Sequence, residues 1–203
     1  MSAAAAAPEL LAAIARDDTD DIHNAINGGA EINARDDKGY TLLQNAILAK
    51  KNDAVAVLLE RGADPELPAE SGPAYTAMHV AARCANEAAM RLLLQYRNGP
   101  DIRDADGETP LHVAAAAGAL AIAKLLVEAG ADIQPRDKKQ ETPRDVATRL
   151  ASSGTAEYLK TLEQERGIDR ESEQARREKL ARDITRLKSH HPERYKIRAK
   201  TTP

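Results

Sequence analysis

The sequence predicts an all-α solenoid of about five helix-turn-helix repeats with short hairpin fingers, followed by a charged helix and a basic tail. Three observations carry this expectation. A Thr-led tetrapeptide recurs as Thr41-Leu42-Leu43-Gln44, Thr76-Ala77-Met78-His79, Thr109-Pro110-Leu111-His112 and Thr142-Pro143-Arg144-Asp145, at spacings of 35, 33 and 33 residues. A second mark keeps nearly the same period: Gly29-Ala30-Glu31, Gly62-Ala63-Asp64, Gly99-Pro100-Asp101 and Gly130-Ala131-Asp132. Finally, the 203 residues hold 40 Ala and 20 Leu but no Phe or Trp, so the core must come from small aliphatic side chains that let helices approach closely.

The first copy, from Pro8 to Asp36, lacks the Thr-led start and places Leu10, Leu11, Ile14, Ile22 and Ile26 as its apolar positions. It reads as an amino-terminal cap. In the following copies Thr opens a helix by capping exposed amides, and Pro110 and Pro143 suit the first turn because a missing N–H is no loss there. Ala114 to Ala117 make a thin first helix, Ile122, Leu125 and Leu126 give the second an apolar stripe, and Gly130 ends it in the left-handed conformation. The last copy lacks the Gly-Ala-Asp mark, as suits a closing repeat with a wet outer face. The repeats run roughly 4–36, 37–70, 71–103, 104–136 and 137–165, within a domain spanning 1–167. Two irregularities interrupt the register: a finger from Pro65 to Ala74 that is two residues longer than its neighbours, and an added Arg97-Asn98.

These residues resemble the ankyrin repeat, most closely from Asp106-Gly107-Glu108-Thr109-Pro110-Leu111-His112-Val113-Ala114-Ala115 through Gly130-Ala131-Asp132. The resemblance covers about residues 8–165 and implies a protein-recognition module. It implies that His79 and His112 hydrogen-bond between neighbouring repeats, a task Gln44 can share. It also places Asp37, Lys38, Tyr40, Tyr75, Arg83, Cys84, Asp106, Glu108, Lys138, Lys139, Glu141 and Arg149 at groove-facing, partner-binding positions. Tyr40 and Tyr75 lead this set, because both immediately precede the tetrapeptide and Tyr is enriched at interface hot spots.

Motifs for chemistry are not found. The chain has no Gly-rich phosphate loop with Lys and no Gly-x-Ser-x-Gly elbow. His190-His191 have no Cys nearby and only Glu193 as an adjacent acid, too few ligands for a metal site, and the pairs Asp17-Asp18, Asp20-Asp21 and Asp36-Asp37 read as helix caps and turns rather than a calcium loop. Cys84 is the single cysteine, which excludes an intramolecular disulfide; the adjacent Arg83 could lower its pKa, but no His or acid stands at fixed spacing to complete a nucleophilic pair. A non-enzyme without cofactor is expected. Met1-Ser2 and the alanines before Pro8 lack the basic and long apolar regions of a secretory signal, and no run of 18 apolar residues occurs. With one cysteine, the expected setting is a reducing cytoplasm.

The net charge of −3 hides an asymmetry: residues 168–203 carry 11 basic and 6 acidic side chains, leaving 18 basic and 26 acidic in 1–167. Ile168 to Ser189 contains no Pro or Gly, and Leu180, Ile184 and Leu187 form one narrow apolar stripe. Beyond it lie Lys188 and the run Arg194-Tyr195-Lys196-Ile197-Arg198-Ala199-Lys200. This segment suits either an extended strand laid on a partner's sheet edge or a basic tail on an anionic surface such as nucleic acid. The expected function is a scaffold or adaptor subunit, monomeric within a hetero-complex and bound to one or more proteins. An RNA-bound accessory subunit and an enzyme regulator acting through the groove are the alternatives. If the tail meets nucleic acid, affinity should fall steeply with salt, with a slope reflecting up to about five phosphate contacts; a flat salt titration would assign the tail to a protein surface.

Overall fold

The computed structural model describes residues 8–96, 99–167 and 182. Among these there are ten helices, of which eight pack in pairs, α1 (Pro8–Arg16) with α2 (Thr19–Asn27), α3 (Leu42–Leu48) with α4 (Asn52–Glu60), α5 (Ala77–Arg83) with α6 (Glu87–Gln95) and α7 (Pro110–Ala117) with α8 (Leu120–Glu128), followed in sequence by α9 (Pro143–Arg149) and α10 (Ser153–Glu165). The chain divides into two compact units, residues 1–160 and 161–203. In the first unit α1, α3, α5, α7 and α9 pack side by side as one layer, and α2, α4, α6 and α8 as a second. Of the second unit, residues 161–167 and Arg182 are described. The candidate tail residues Leu180, Ile184, Leu187, Lys188, Arg194, Tyr195, Lys196, Arg198 and Lys200, like Arg97-Asn98, lie outside the described residues.

The tetrapeptides start helices as expected. Thr41, Thr76, Thr109 and Thr142 are N-caps in extended conformation, each answered three residues on by Gln44, His79, His112 or Asp145 in a capping box. Gly130 takes φ +93° just past α8. The turn inside each helix pair also needs a left-handed residue, supplied by Asp17, Lys50, Ala85, Gly118 and Ala151. Only one of these five is glycine, so the other four carry strain of about 1 kcal/mol each that the packed helices hold in place.

Small side chains set the spacing between layers. Ala81, Ala82, Ala114 and Ala115 are fully buried where α5, α7 and α9 meet, while Leu58, Met90, Leu93, Ile122 and Leu126 fill the space beneath the outer helices. In the first copy Leu10, Ile14 and Ile22 are buried but Leu11 and Ile26 are half-exposed, as suits the end of a stack. The long finger is tied to both neighbours: Glu70 N–H donates to Gly39 O (3.0 Å), and Ala105 N–H donates to Pro73 O (2.9 Å). Gly39 has φ +80°, and a Cβ there would stand 3.0 Å from that of Glu70, so glycine serves both backbone and close approach.

Buried side chains bridge the repeats. Gln44 Nε2 donates to Leu67 O (2.9 Å) and Tyr75 O (2.8 Å), His79 Nε2 to Glu108 O (3.1 Å), and His112 Nε2 to Glu141 O (3.1 Å). Each histidine's Nδ1 accepts the amide N–H of its capping Thr, at 3.3 Å for Thr76 and 3.1 Å for Thr109. This network assigns a neutral ring with its proton on Nε2. Burial holds both histidines below their ordinary 6.5, against the smaller upward pull of the backbone bonds to Glu108 and Glu141. A folded-state pKa below the unfolded one makes these neutral rings stabilising above about pH 6.5, and that stability drains away as pH falls further. His112→Ala, which leaves Glu141 O and Thr109 N–H buried without their partner, should cost roughly 1–3 kcal/mol at neutral pH and flatten the acid limb of the stability curve. Urea titrations at several pH values check both, and superimposable curves for variant and wild type would refute the bridging role.

Candidate functional site

The fingers and the ends of the first helices carry the sequence-predicted groove positions, all within residues 1–160. Three of them converge. The Arg83 guanidinium lies 5.4 Å from the centre of the Tyr75 ring, and its Nη2 donates to the Tyr40 hydroxyl at 3.4 Å. The other neighbour of the Tyr75 ring is the buried His79 imidazole, stacked nearly parallel at 5.5 Å. A half-exposed phenol thus rests on an inter-repeat bridge and supports an exposed cation. Burial raises the Tyr75 phenol's pKa, with Glu108 and Asp104 adding to it and Arg83 opposing.

A second pair forms in the fifth copy, where Arg149 Nε and Nη2 grip the two carboxylate oxygens of Glu141 at 2.9 Å each. Between these clusters stands Glu108. Burial pushes its carboxyl above the ordinary value, with Asp104, Asp137 and Asp106 pushing the same way and Lys139 opposing. Asp37, Lys38, Asp106, Lys138 and Lys139 are exposed around the finger tips. There the backbone is well bonded: Lys38 N–H donates to Asp36 Oδ1 (3.0 Å), Asp106 N–H to Asp104 Oδ1 (2.8 Å), and Lys138 N–H to Asp106 O (3.0 Å). The acidic pairs act as turns and caps, with Asp18 accepting from Asp21 N–H (3.1 Å) and Asp17 from Ala54 N–H (2.8 Å).

Cys84 caps the end of α5 and is half-buried, its sulfur 3.8 Å from Ile47 O and Ala81 O. Burial raises the thiol's pKa; the Asn86 amide, Lys50 and Arg83 pull it down less strongly.

Sequence reasoning missed a set of finger arginines. Arg35 Nη1 donates to Gly39 O and, in the next finger, to Pro68 O; Arg103 Nη1 donates to Gly107 O and Arg136 O; Arg136 Nη1 reaches Gln140 O. Their spacing of 68 and 33 residues was the available signal. Among the described residues no cluster of three or more His, Cys, Asp or Glu is arranged to hold a metal ion, and no helix is long and apolar enough to cross a membrane.

The family model for ankyrin repeats (3 copies) matches residues 10–104, 69–137 and 89–171. The chain belongs to the ankyrin repeat family, whose members are in general protein-protein interaction modules. Among similar curated proteins, the E3 ubiquitin-protein ligase Ufd4 of Drosophila melanogaster is 35% identical over 103 residues, 50% of this chain and 4% of that protein. Protein PhlB of Serratia liquefaciens is 37% identical over 102 residues, 50% of this chain and 44% of PhlB. Inversin of Gallus gallus is 34% identical over 110 residues, 54% of this chain and 10% of inversin. The chain therefore spans less than half the length of each of these relatives.

Burial at Cys84 has a chemical consequence. Its reaction with a thiol probe at mildly alkaline pH should be slower in the folded chain than in the chain unfolded by urea, because less thiolate is present and Sγ is partly covered. Faster labelling of the native state would identify an activated thiol.

Proposed function

We propose that the chain is a non-catalytic scaffold or adaptor subunit that binds a partner protein through the face carrying Tyr40, Tyr75 and Arg83. The observation that supports this reading most is their mutual packing: two phenols and a guanidinium fixed on the buried His79 bridge, with exposed surface left over. Such pre-ordered aromatic and Arg side chains lose little further entropy on binding and are the types most enriched at hot spots. Asp37, Lys38, Cys84, Asp106, Glu108, Lys138, Lys139, Glu141 and Arg149 extend the same surface in this proposal. Residues 1–167 are the recognition domain and 168–203 a separate extension, whose excess of basic side chains suits a second attachment point. The chain acts as a single copy within a hetero-complex in the cytoplasm, where a lone cysteine stays reduced.

Affinity purification of the tagged full chain from its native source, with mass spectrometry, identifies the partner. Calorimetry with that partner should then show Tyr40→Ala/Tyr75→Ala weakened by at least about 2 kcal/mol while the melting temperature stays close to wild type. Wild-type affinity in the double variant would move the interface away from this face. Unchanged recovery of the partner after deletion of 188–203 would remove the tail from the proposal.

A further inference from the structure

The residue just before each tetrapeptide and the residue seven places after its Thr form one recurring pair of positions: Tyr40 and Leu48, Tyr75 and Arg83, Glu108 and Ala116, Glu141 and Arg149. In the fifth copy the pair is complete, a carboxylate gripped by a two-pronged guanidinium. In the third copy the guanidinium is present and the carboxylate is replaced by Tyr75, so Arg83 lies over the ring and touches Tyr40 but has no carboxylate partner among the described residues. In the fourth copy the carboxylate is present and the guanidinium is replaced by Ala116. There burial raises the proton affinity of Glu108, with Asp104, Asp137 and Asp106 adding to it and Lys139 opposing. One cation and one carboxylate in successive repeats thus lack the partner that their register supplies in the fifth copy, and both are close enough to Tyr75 to perturb its phenol.

We infer that the partner is a protein segment presenting an acidic side chain to Arg83 and a basic side chain to Glu108, so that it completes in trans the ion pair that Glu141 and Arg149 make in cis. This rests on the groove reading above and specifies its occupant. The Glu141–Arg149 pair shows the geometry that this register accommodates, with both bonds at 2.9 Å. Tyr75 and Tyr40 hold the guanidinium in place in advance, which reduces the entropy lost when a carboxylate arrives. At Glu108, half-buried and opposite Ala116 in the register, a Lys or Arg of the partner adds to Lys139 in relieving the repulsion from Asp104, Asp137 and Asp106. The same acids repel a polyanion, so nucleic acid does not suit this face. The paired opposite charges govern choice of partner more than raw affinity.

The probe is a phage-displayed library of random peptides selected on the full-length chain. Enriched peptides should carry an Asp or Glu together with a Lys or Arg. A synthetic copy should lose about tenfold in affinity when its acidic residue becomes an amide, and that sensitivity should vanish in Arg83→Gln and turn into a preference for a basic residue in Arg83→Glu. Glu108→Gln should remove the selection for the basic residue alone. Thermal melts of the three variants establish that each is folded, and Arg83 is exposed enough to tolerate replacement. Peptides that need Tyr40 and Tyr75 but show no charge pattern, or ignore Arg83→Gln, overturn this inference and leave the groove reading standing. Peptides that bind Tyr40→Ala/Tyr75→Ala as well as wild type overturn both, as does a library that yields no binder.

Discussion

The stacking of the second to fifth copies depends on a buried side chain at the third position of α3, α5 and α7 reaching the backbone of the next repeat. No single repeat can bury its own apolar face, so the stack stands only while neighbours keep register. Hydrophobic contact among Ala81, Ala114, Leu111 and Val146 is nearly indifferent to small slides of one copy past another. A hydrogen bond of 3.1 Å from His79 to Glu108 O, or from His112 to Glu141 O, is not. The bridge is also conditional on the cap: Nδ1 must accept from Thr for Nε2 to donate onward, so helix start and repeat stacking are one network.

That network explains which parts of the fold could be read in advance. Thr109-Pro110-Leu111-His112 is legible because each residue has a local duty, and Gly130 because its φ demands it. The inner turns were not legible, because Lys50, Ala85 and Ala151 take left-handed conformations without glycine. Only the alignment of copies on Gly118 reveals them. The strain is sustained by packing on both sides, which is a tertiary effect absent from any window of sequence.

The candidate site was legible as positions and not as pairings. Counting from the tetrapeptides brings Tyr40, Tyr75, Arg83, Glu141 and Arg149 to one register, yet nothing in the spacing says that Arg83 spans two repeats to reach Tyr40, 43 residues away. Side-chain reach across a stacking interface decides this. Cys84 shows the opposite outcome: adjacency to Arg83 in sequence suggests a lowered pKa, but burial outweighs the combined pull of the Asn86 amide, Lys50 and Arg83. The finger arginines escaped notice because surface arginines look solvated, whereas Arg35 and Arg103 each hold carbonyls of two successive fingers.

The division of labour between backbone and side chain is what lets this surface vary. Glu108 and Glu141 offer carbonyl oxygens to the histidine bridges, and any residue has a carbonyl, so their side chains are released from structural duty. Tyr75 fills the same place: its carbonyl accepts from Gln44 Nε2 and Ala69 N–H, a task any residue could perform, while its ring stacks on His79. A position that must exist but need not have a particular side chain is where recognition chemistry can change at little cost to stability. The sequence Tyr, Tyr, Glu, Glu at this register, set against Leu, Arg, Ala, Arg seven residues after each Thr, is therefore a pattern imposed on a scaffold that does not require it. At this register the fifth copy pairs a carboxylate with a guanidinium, the third sets a guanidinium over a phenol, and the fourth matches a carboxylate with Ala116, so the same scaffold carries three different surface chemistries.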